Sequence, residues 1–114
     1  KNSYNFAFEK IKKRLHEKGL NLNGQNAMFV CVLALIDKKK NEFFFTGTLK
    51  GKIVFPPKGK NGFGYDPIFV PLNFKKTLAQ SSSSFKNSIS HRKKALDKLL
   101  KHSLFNKLSL KKIL

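Results

Sequence analysis

Met28-Phe29-Val30-Cys31-Val32-Leu33-Ala34-Leu35-Ile36 is an apolar run without charge, proline or glycine, closed by Asp37-Lys38-Lys39-Lys40-Asn41 and followed by Phe43-Phe44-Phe45-Thr46. Runs rich in branched and aromatic residues on either side of a charged, turn-like segment read as strands, and two so close together pair most simply as a hairpin. The first run lacks the apolar-polar alternation of a half-exposed strand, so it is expected to be a central strand buried on both faces. Its apolar stretch from Ala27 falls far short of the roughly 20 residues needed to span a bilayer, and no membrane partner is expected.

Upstream, Phe8, Ile11 and Leu15 recur at helical spacing between lysines. This predicts one amphipathic helix over 3–18, ended by Gly19 and joined to the strand by a polar turn through Asn21–Asn26. Downstream, Lys52–Phe55 reads as a short third strand stopped by Pro56-Pro57, which cannot continue a ladder. A glycine-rich loop over Gly59–Pro67 leads into the apolar Ile68-Phe69-Val70. Ser81–Ser84 reads as a polar, mobile connector. The last helix is expected to start at Ser90, whose hydroxyl can cap it, with Ala95, Leu96, Leu99 and Leu100 on its apolar face; Lys93 in place of an acid leaves the capping box incomplete. Strands interleaved with helices predict the α/β class, with a mixed β-sheet flanked by helices.

A chain of 114 residues with 40% hydrophobic content, 12 Phe and no Trp can build one thin-cored domain. The formal charge of +18 raises the question of an anionic partner, a nucleotide or a nucleic acid, the alternative being an evenly spread lysine excess that reflects composition alone. Of the 24 cations only Arg14 and Arg92 are arginine, whereas base-edge and bidentate phosphate contacts favour arginine, which argues against sequence-reading of nucleic acid. The single Cys31 excludes an internal disulfide and suits a reducing compartment. With no secretory signal visible, a cytoplasmic location is expected.

Two constellations carry chemistry. In Gly62-Phe63-Gly64-Tyr65-Asp66-Pro67, the glycines permit backbone angles that side chains forbid, so the loop can present the Phe63 ring to a flat ligand. Stacking of a base on such a ring contributes about 1–3 kcal/mol. Pro67 biases Asp66 toward extended backbone and so aims its carboxylate, an acceptor suited to a ring N–H. The same pattern also describes a glycine-rich turn plugged by an aromatic. The second constellation is Lys86 with Ser90-His91-Arg92 at a helix start, where unpaired N–H groups and the dipole attract anions and electron-rich carbonyls; a solvated cationic surface is the alternative. His16 and His102 read as surface residues.

Taken in order, Phe29–Leu35, Gly51-Lys52-Ile53, Gly62–Phe69, Lys76-Thr77-Leu78-Ala79, Lys86–Arg92 and Ala95-Leu96 resemble the inosine triphosphate pyrophosphatases. Enzymes of that family remove inosine, xanthosine and deoxyinosine triphosphates from the nucleotide pool. The resemblance implies a partial pyrophosphatase fold in which 1–26 form a helix and turn, 27–100 the matching core and 101–114 an unmatched basic tail. It implies that Phe63 stacks on the purine and that Gly64 and Tyr65 beside it are also substrate-binding residues. Asp66 and Arg92 would bind the polar edge of the base, and Lys86 and His91 would complete the nucleotide pocket. Arg92, a donor only, suits a 6-oxo group and repels the 6-amino group of adenine.

The family reaction, attack of water on the α-phosphate, needs Mg²⁺ held by hard oxygen ligands. The acids here are Glu9, Glu17, Asp37, Glu42, Asp66 and Asp97, and only Asp66 falls in a candidate site. The family's amino-terminal phosphate-gripping segment and its catalytic Asp-Ser-Gly motif have no counterpart. The chain is therefore expected to be a fragment, with no catalytic or metal-binding residue of its own and negligible hydrolysis alone. The family is usually homodimeric. Gln80, where relatives often have an acid, and the acid-poor Thr46-Gly47-Thr48-Leu49 are smaller departures. Two other readings stand beside this one: a small basic nucleic-acid-binding module, and a non-catalytic remnant that pairs with another subunit.

Overall fold

The amphipathic amino-terminal segment does form a helix. In the computed structural model of the chain, which describes residues 4–102, α1 spans Tyr4–Glu17 and turns the buried Phe8 inward. It ends on Gly19 at φ +68°. The Gly19 N–H donates to the His16 carbonyl at 3.0 Å and that of Leu20 to the Leu15 carbonyl at 2.9 Å, the paired bonds that satisfy a helix end when a left-handed residue follows it. Ser3, expected within this helix, lies outside the described residues, as do residues 103–114 of the expected tail.

The remaining elements are β1 (Gln25–Ile36), β2 (Glu42–Ile53), a 3₁₀ turn at Asp66–Ile68, β3 (Phe69–Pro71), a second 3₁₀ turn at Leu78–Gln80, α2 (Ser83–Ile89) and α3 (His91–Lys101). The sheet order is β1-β2-β3, so the class is α/β with helices and one sheet. β3 pairs antiparallel with the end of β2, Gly51 opposite Pro71 and Ile53 opposite Phe69. The stretch at Lys52–Phe55 is not a separate strand, because β2 runs unbroken from Glu42 to Ile53.

β1 departs from its expected role. It is an edge strand, and its side chains alternate strictly between partly buried and exposed. Val30 is 49%, Val32 55% and Ile36 60% exposed. Composition could not reveal this, since the outward side chains are as apolar as the inward ones.

Backbone packing divides the chain into two compact units, one gathering the described residues of 1–28 with Lys50–Lys86, the other Phe29–Leu49 with the described residues of 87–114. In the first, Ile68, Phe69, Leu78, Ala79 and Phe8 are buried. The Phe69 ring lies so close to Gly51 that a Cβ there would collide with it and with the Val70 carbonyl.

In the second unit the turn after β1 is built by one side chain. Asp37 Oδ1 accepts from the N–H groups of Lys39 and Asn41, each at 2.9 Å, and Oδ2 from Asn41 Nδ2 at 3.0 Å, which accommodates Lys40 at φ +72°. α3 starts where expected: Ser90 Oγ accepts from Lys93 N at 3.0 Å, and Ala95 is fully buried. Leu96, expected on the apolar face, is 44% exposed, because the helix approaches β2 by backbone contact. A Cβ on Gly47 would overlap the His91 carbonyl and the Ala95 nitrogen. β3 reaches only Gly51–Ile53 of β2, and along the rest of that strand Lys94 Nζ donates to the Thr48 carbonyl at 3.0 Å and Lys98 Nζ to that of Thr46 at 2.6 Å.

The Gly47→Ala variant should therefore lose about 1–3 kcal/mol from forced separation of α3 and β2, read as a fall of several degrees in the midpoint of thermal unfolding. The Asn41 and Lys39 hydrogen bonds hold the Asp37 carboxyl below its ordinary value. Its depressed value makes the turn's contribution present at neutral pH and lost as pH falls through the folded value. Amide protection of Lys39 and Asn41 should accordingly be retained at neutral pH and lost in acid.

Candidate functional site

The glycine-rich loop is stitched to the rest of its unit at both ends. Lys58 N–H donates to the Pro67 carbonyl at 2.9 Å, closing the neck, and Asn61 N–H to the Ala79 carbonyl at 2.9 Å. Asn61 Nδ2 reaches the Ser81 carbonyl at 3.1 Å and Thr77 Oγ1 the Lys58 carbonyl at 2.7 Å. Thr77 is 1% exposed, so losing that bond would leave a polar group buried without compensation. Gly59, at φ +97°, sits against the Ala79 backbone where a Cβ would clash. Gln80 Oε1 accepts from Thr77 N–H at 2.9 Å, supplying the acceptor that an acid would offer.

At the apex, Gly62 (φ +89°) and Gly64 (φ +67°) flank Phe63, which is 70% exposed. One carboxylate oxygen ties this apex to α2. Asp66 Oδ2 accepts from the Phe63 N–H at 3.2 Å and from Lys86 Nζ at 3.2 Å. Both side chains of the ion pair are mostly buried, at 16% and 15% exposure, where charge-assisted hydrogen bonds are stronger than in water. A Cβ on Gly62 would overlap both the Asp66 carboxylate and Lys86 Nζ, so glycine at 62 is demanded by the ion pair behind the ring. The result is an exposed apolar face on a fixed stem, with an acceptor and a cation beside it.

Asp66 is not extended as expected. It opens the 3₁₀ turn Asp66–Ile68, because the Phe63 N–H bond to its carboxylate and Ile68 N–H donation to the Tyr65 carbonyl at 3.0 Å outweigh the steric bias imposed by Pro67. Tyr65 turns to α1: its ring meets Tyr4 edge-on at 5.4 Å and Phe8 at 6.1 Å. It also borders a groove of about 360 Å³ with Ala7, Ile11 and Leu15. In this position Tyr65 anchors the loop.

Ser81–Ser84 is not a connector. Ser81 Oγ donates to the Thr77 carbonyl at 3.1 Å, and Ser82 Oγ accepts from Phe85 N–H at 3.1 Å, capping α2. These serines position Lys86, which lies on α2.

Phe63, Gly64, Tyr65, Asp66 and Lys86 are thus brought together in the first unit. His91 and Arg92 form the first turn of α3 in the second. There the His91 ring stacks on Phe29 at 5.1 Å, 15° from parallel, and Arg92 is exposed. Sequence reasoning missed Tyr4, Asn61 and the clasping role of Thr77; an aromatic at the start of an amphipathic helix and a threonine before an apolar pair were the available signals. Among the described residues no group of three His, Cys, Asp or Glu could hold a metal ion. The nearest acid, Asp66, is engaged by Lys86. The donor set among the described residues does not fit Mg²⁺.

The chain belongs to the Ham1 family, whose model matches residues 2–102. Among curated proteins it is similar to a dITP/XTP pyrophosphatase of Oceanobacillus iheyensis, 43% identical over 93 residues, covering 82% of this chain and 46% of the relative. It is likewise similar to that of Campylobacter jejuni, 44% identical over 89 residues, covering 78% and 43%. Among solved structures, the Staphylococcus aureus Ham1 protein matches at 42% identity and TM-score 0.67 over 78% of this chain and 46% of that one. A Ham1 protein from Coxiella burnetii matches at 35% identity and TM-score 0.72, over 81% and 47%. The chain spans about half the length of the curated relatives it matches.

Replacing Lys86 with methionine would leave the Asp66 carboxylate largely buried without its cation, at a cost of about 1–3 kcal/mol. Hydrogen exchange at the Phe63 amide should accelerate in this variant relative to amides of the second unit.

Proposed function

We propose that this chain supplies the base-recognition part of a pyrophosphatase that converts non-standard purine nucleoside triphosphates (ITP, dITP, XTP) to monophosphate and pyrophosphate. The observation that carries the reading is the exposed Phe63 ring held on a stem fixed by the Asp66–Lys86 pair. A purine stacked on Phe63 would gain about 1–3 kcal/mol. Asp66 and Lys86 beside the ring offer an acceptor and a donor to the base or its nucleotide. In the same reading His91 assists in nucleotide binding and Arg92 donates to a 6-oxo oxygen, which disfavours adenine. Its support is the run of curated relatives named dITP/XTP pyrophosphatase.

Magnesium, a cytoplasmic location and a homodimeric assembly belong to the same proposal. The metal and the attacking water would be supplied by the part of the fold that this chain does not span, so this chain alone would be inactive. Incubation with inosine triphosphate and Mg²⁺ should release no pyrophosphate above background; robust release contradicts inactivity of the chain. Inosine monophosphate should raise the thermal midpoint while adenosine monophosphate leaves it unchanged. The charge of +18 favours a nucleic-acid-binding module as the second reading. Single-stranded DNA binding that weakens steeply with salt, without inosine monophosphate protection, would favour that module instead.

A further inference from the structure

Asparagine precedes glycine at two places, Asn23-Gly24 and Asn61-Gly62, and both pairs are exposed. Such a pair is chemically labile: with no side chain to obstruct it, the glycine nitrogen can reach the asparagine Cγ and close a five-membered ring. Whether it does so in the folded chain depends on which of the reacting groups are already engaged.

The two pairs, both in the first unit, are held differently. Gly24 N–H donates to the Ile53 carbonyl at 2.9 Å, and Asn23 Oδ1 accepts from Phe55 N–H at 2.7 Å. Nucleophile and electrophile are both tied to a distant stretch of backbone, so attack requires two bonds to open. Gly62 N–H, in contrast, has no acceptor among the described residues. Asn61 donates its own N–H to the Ala79 carbonyl, a bond that takes no part in the reaction, and its side chain is held by Nδ2 on the Ser81 carbonyl at 3.1 Å. One exposed bond is all that restrains the electrophile. The attacking species is the deprotonated amide, and the charges nearby favour it: the Asp66 carboxylate behind Gly62 is paired with Lys86, which leaves Lys60 and the net charge of +18 to stabilise an anion.

We infer that Asn61 is a site of spontaneous deamidation that loosens the stem of Phe63. Gly62 N gives up its proton to hydroxide and bonds to Cγ of Asn61; the Cγ–Nδ2 bond breaks, and the nitrogen leaves as ammonia with a proton from water. Water then opens the ring at either carbonyl, giving aspartate or isoaspartate, so that the net change is one water consumed and one ammonia released. Either product turns carboxylate oxygen toward the Ser81 carbonyl in place of the Nδ2 donor, and sets a second acid beside the Asp66–Lys86 pair. Isoaspartate also adds a methylene to the backbone between residues 61 and 62. The inference rests on the geometry of these two pairs and not on the substrate reading, so failure to bind inosine monophosphate leaves it standing.

The test incubates the chain at mildly alkaline pH, folded and in denaturant, and follows amide-to-acid conversion at each pair by mass spectrometry of peptides. In the folded chain Asn61 should convert at least about fivefold faster than Asn23, and in denaturant the two rates should fall within about twofold of each other. Conversion at Asn23 that matches or exceeds that at Asn61 in the folded chain, or no conversion at either, would overturn the inference. So would an equal preference for Asn61 in denaturant, which would assign the order to local sequence and not to the fold. Asn61→Asp, which installs one product directly, should accelerate hydrogen exchange at the Phe63 amide relative to amides of the second unit; unchanged exchange would overturn the claim that the conversion loosens the stem.

Discussion

One carboxylate oxygen organises the candidate site. Asp66 Oδ2 holds the backbone of Phe63 and the ammonium of Lys86 at the same distance of 3.2 Å, tying the apex of the loop to α2. Because both side chains are largely withdrawn from solvent, separating them would strand a charge in a poorly solvated place. The exposed Phe63 ring therefore stands on a stem that resists movement. A ligand that stacks on it need not pay the entropy of ordering that stem.

Elsewhere the chain relies on glycine to bring backbones into contact. Gly59 lets the loop lie on Ala79, Gly51 admits the Phe69 ring, and Gly47 brings the start of α3 onto β2. In none of these places is the glycine surrounded by open space. Lysines serve the same economy: Lys94 and Lys98 spend their charge on strand carbonyls of β2. Part of the large positive charge thus has a structural use, which weakens the argument from charge to nucleic acid.

Much of this was legible in the sequence. Periodicity located α1, Gly19 marked its end, Ser90 capped α3, and the Asp37–Asn41 segment turned the hairpin. The glycines around Phe63 identified the loop. What escaped was tertiary. Residues 28–36 are uniformly apolar, so nothing in them distinguishes a buried central strand from an edge strand with one exposed face. Ser81–Ser84 has the composition of a linker, yet its hydroxyls find backbone partners in a 3₁₀ turn and at the start of α2. The steric push of Pro67 on Asp66 yielded to hydrogen bonds that only the folded loop provides. Membership of the Ham1 family was readable from the order of the motifs.

The account turns on Phe63 as a stacking platform, and calorimetric titration of inosine monophosphate into the wild-type chain and Phe63→Ala tests it most directly. Removal of the ring should weaken binding by about 1–3 kcal/mol, roughly one to two orders of magnitude in Kd, with the fold intact by circular dichroism. Equal affinity in the two proteins would contradict the account and leave the ring as no more than an exposed side chain on a well-braced turn.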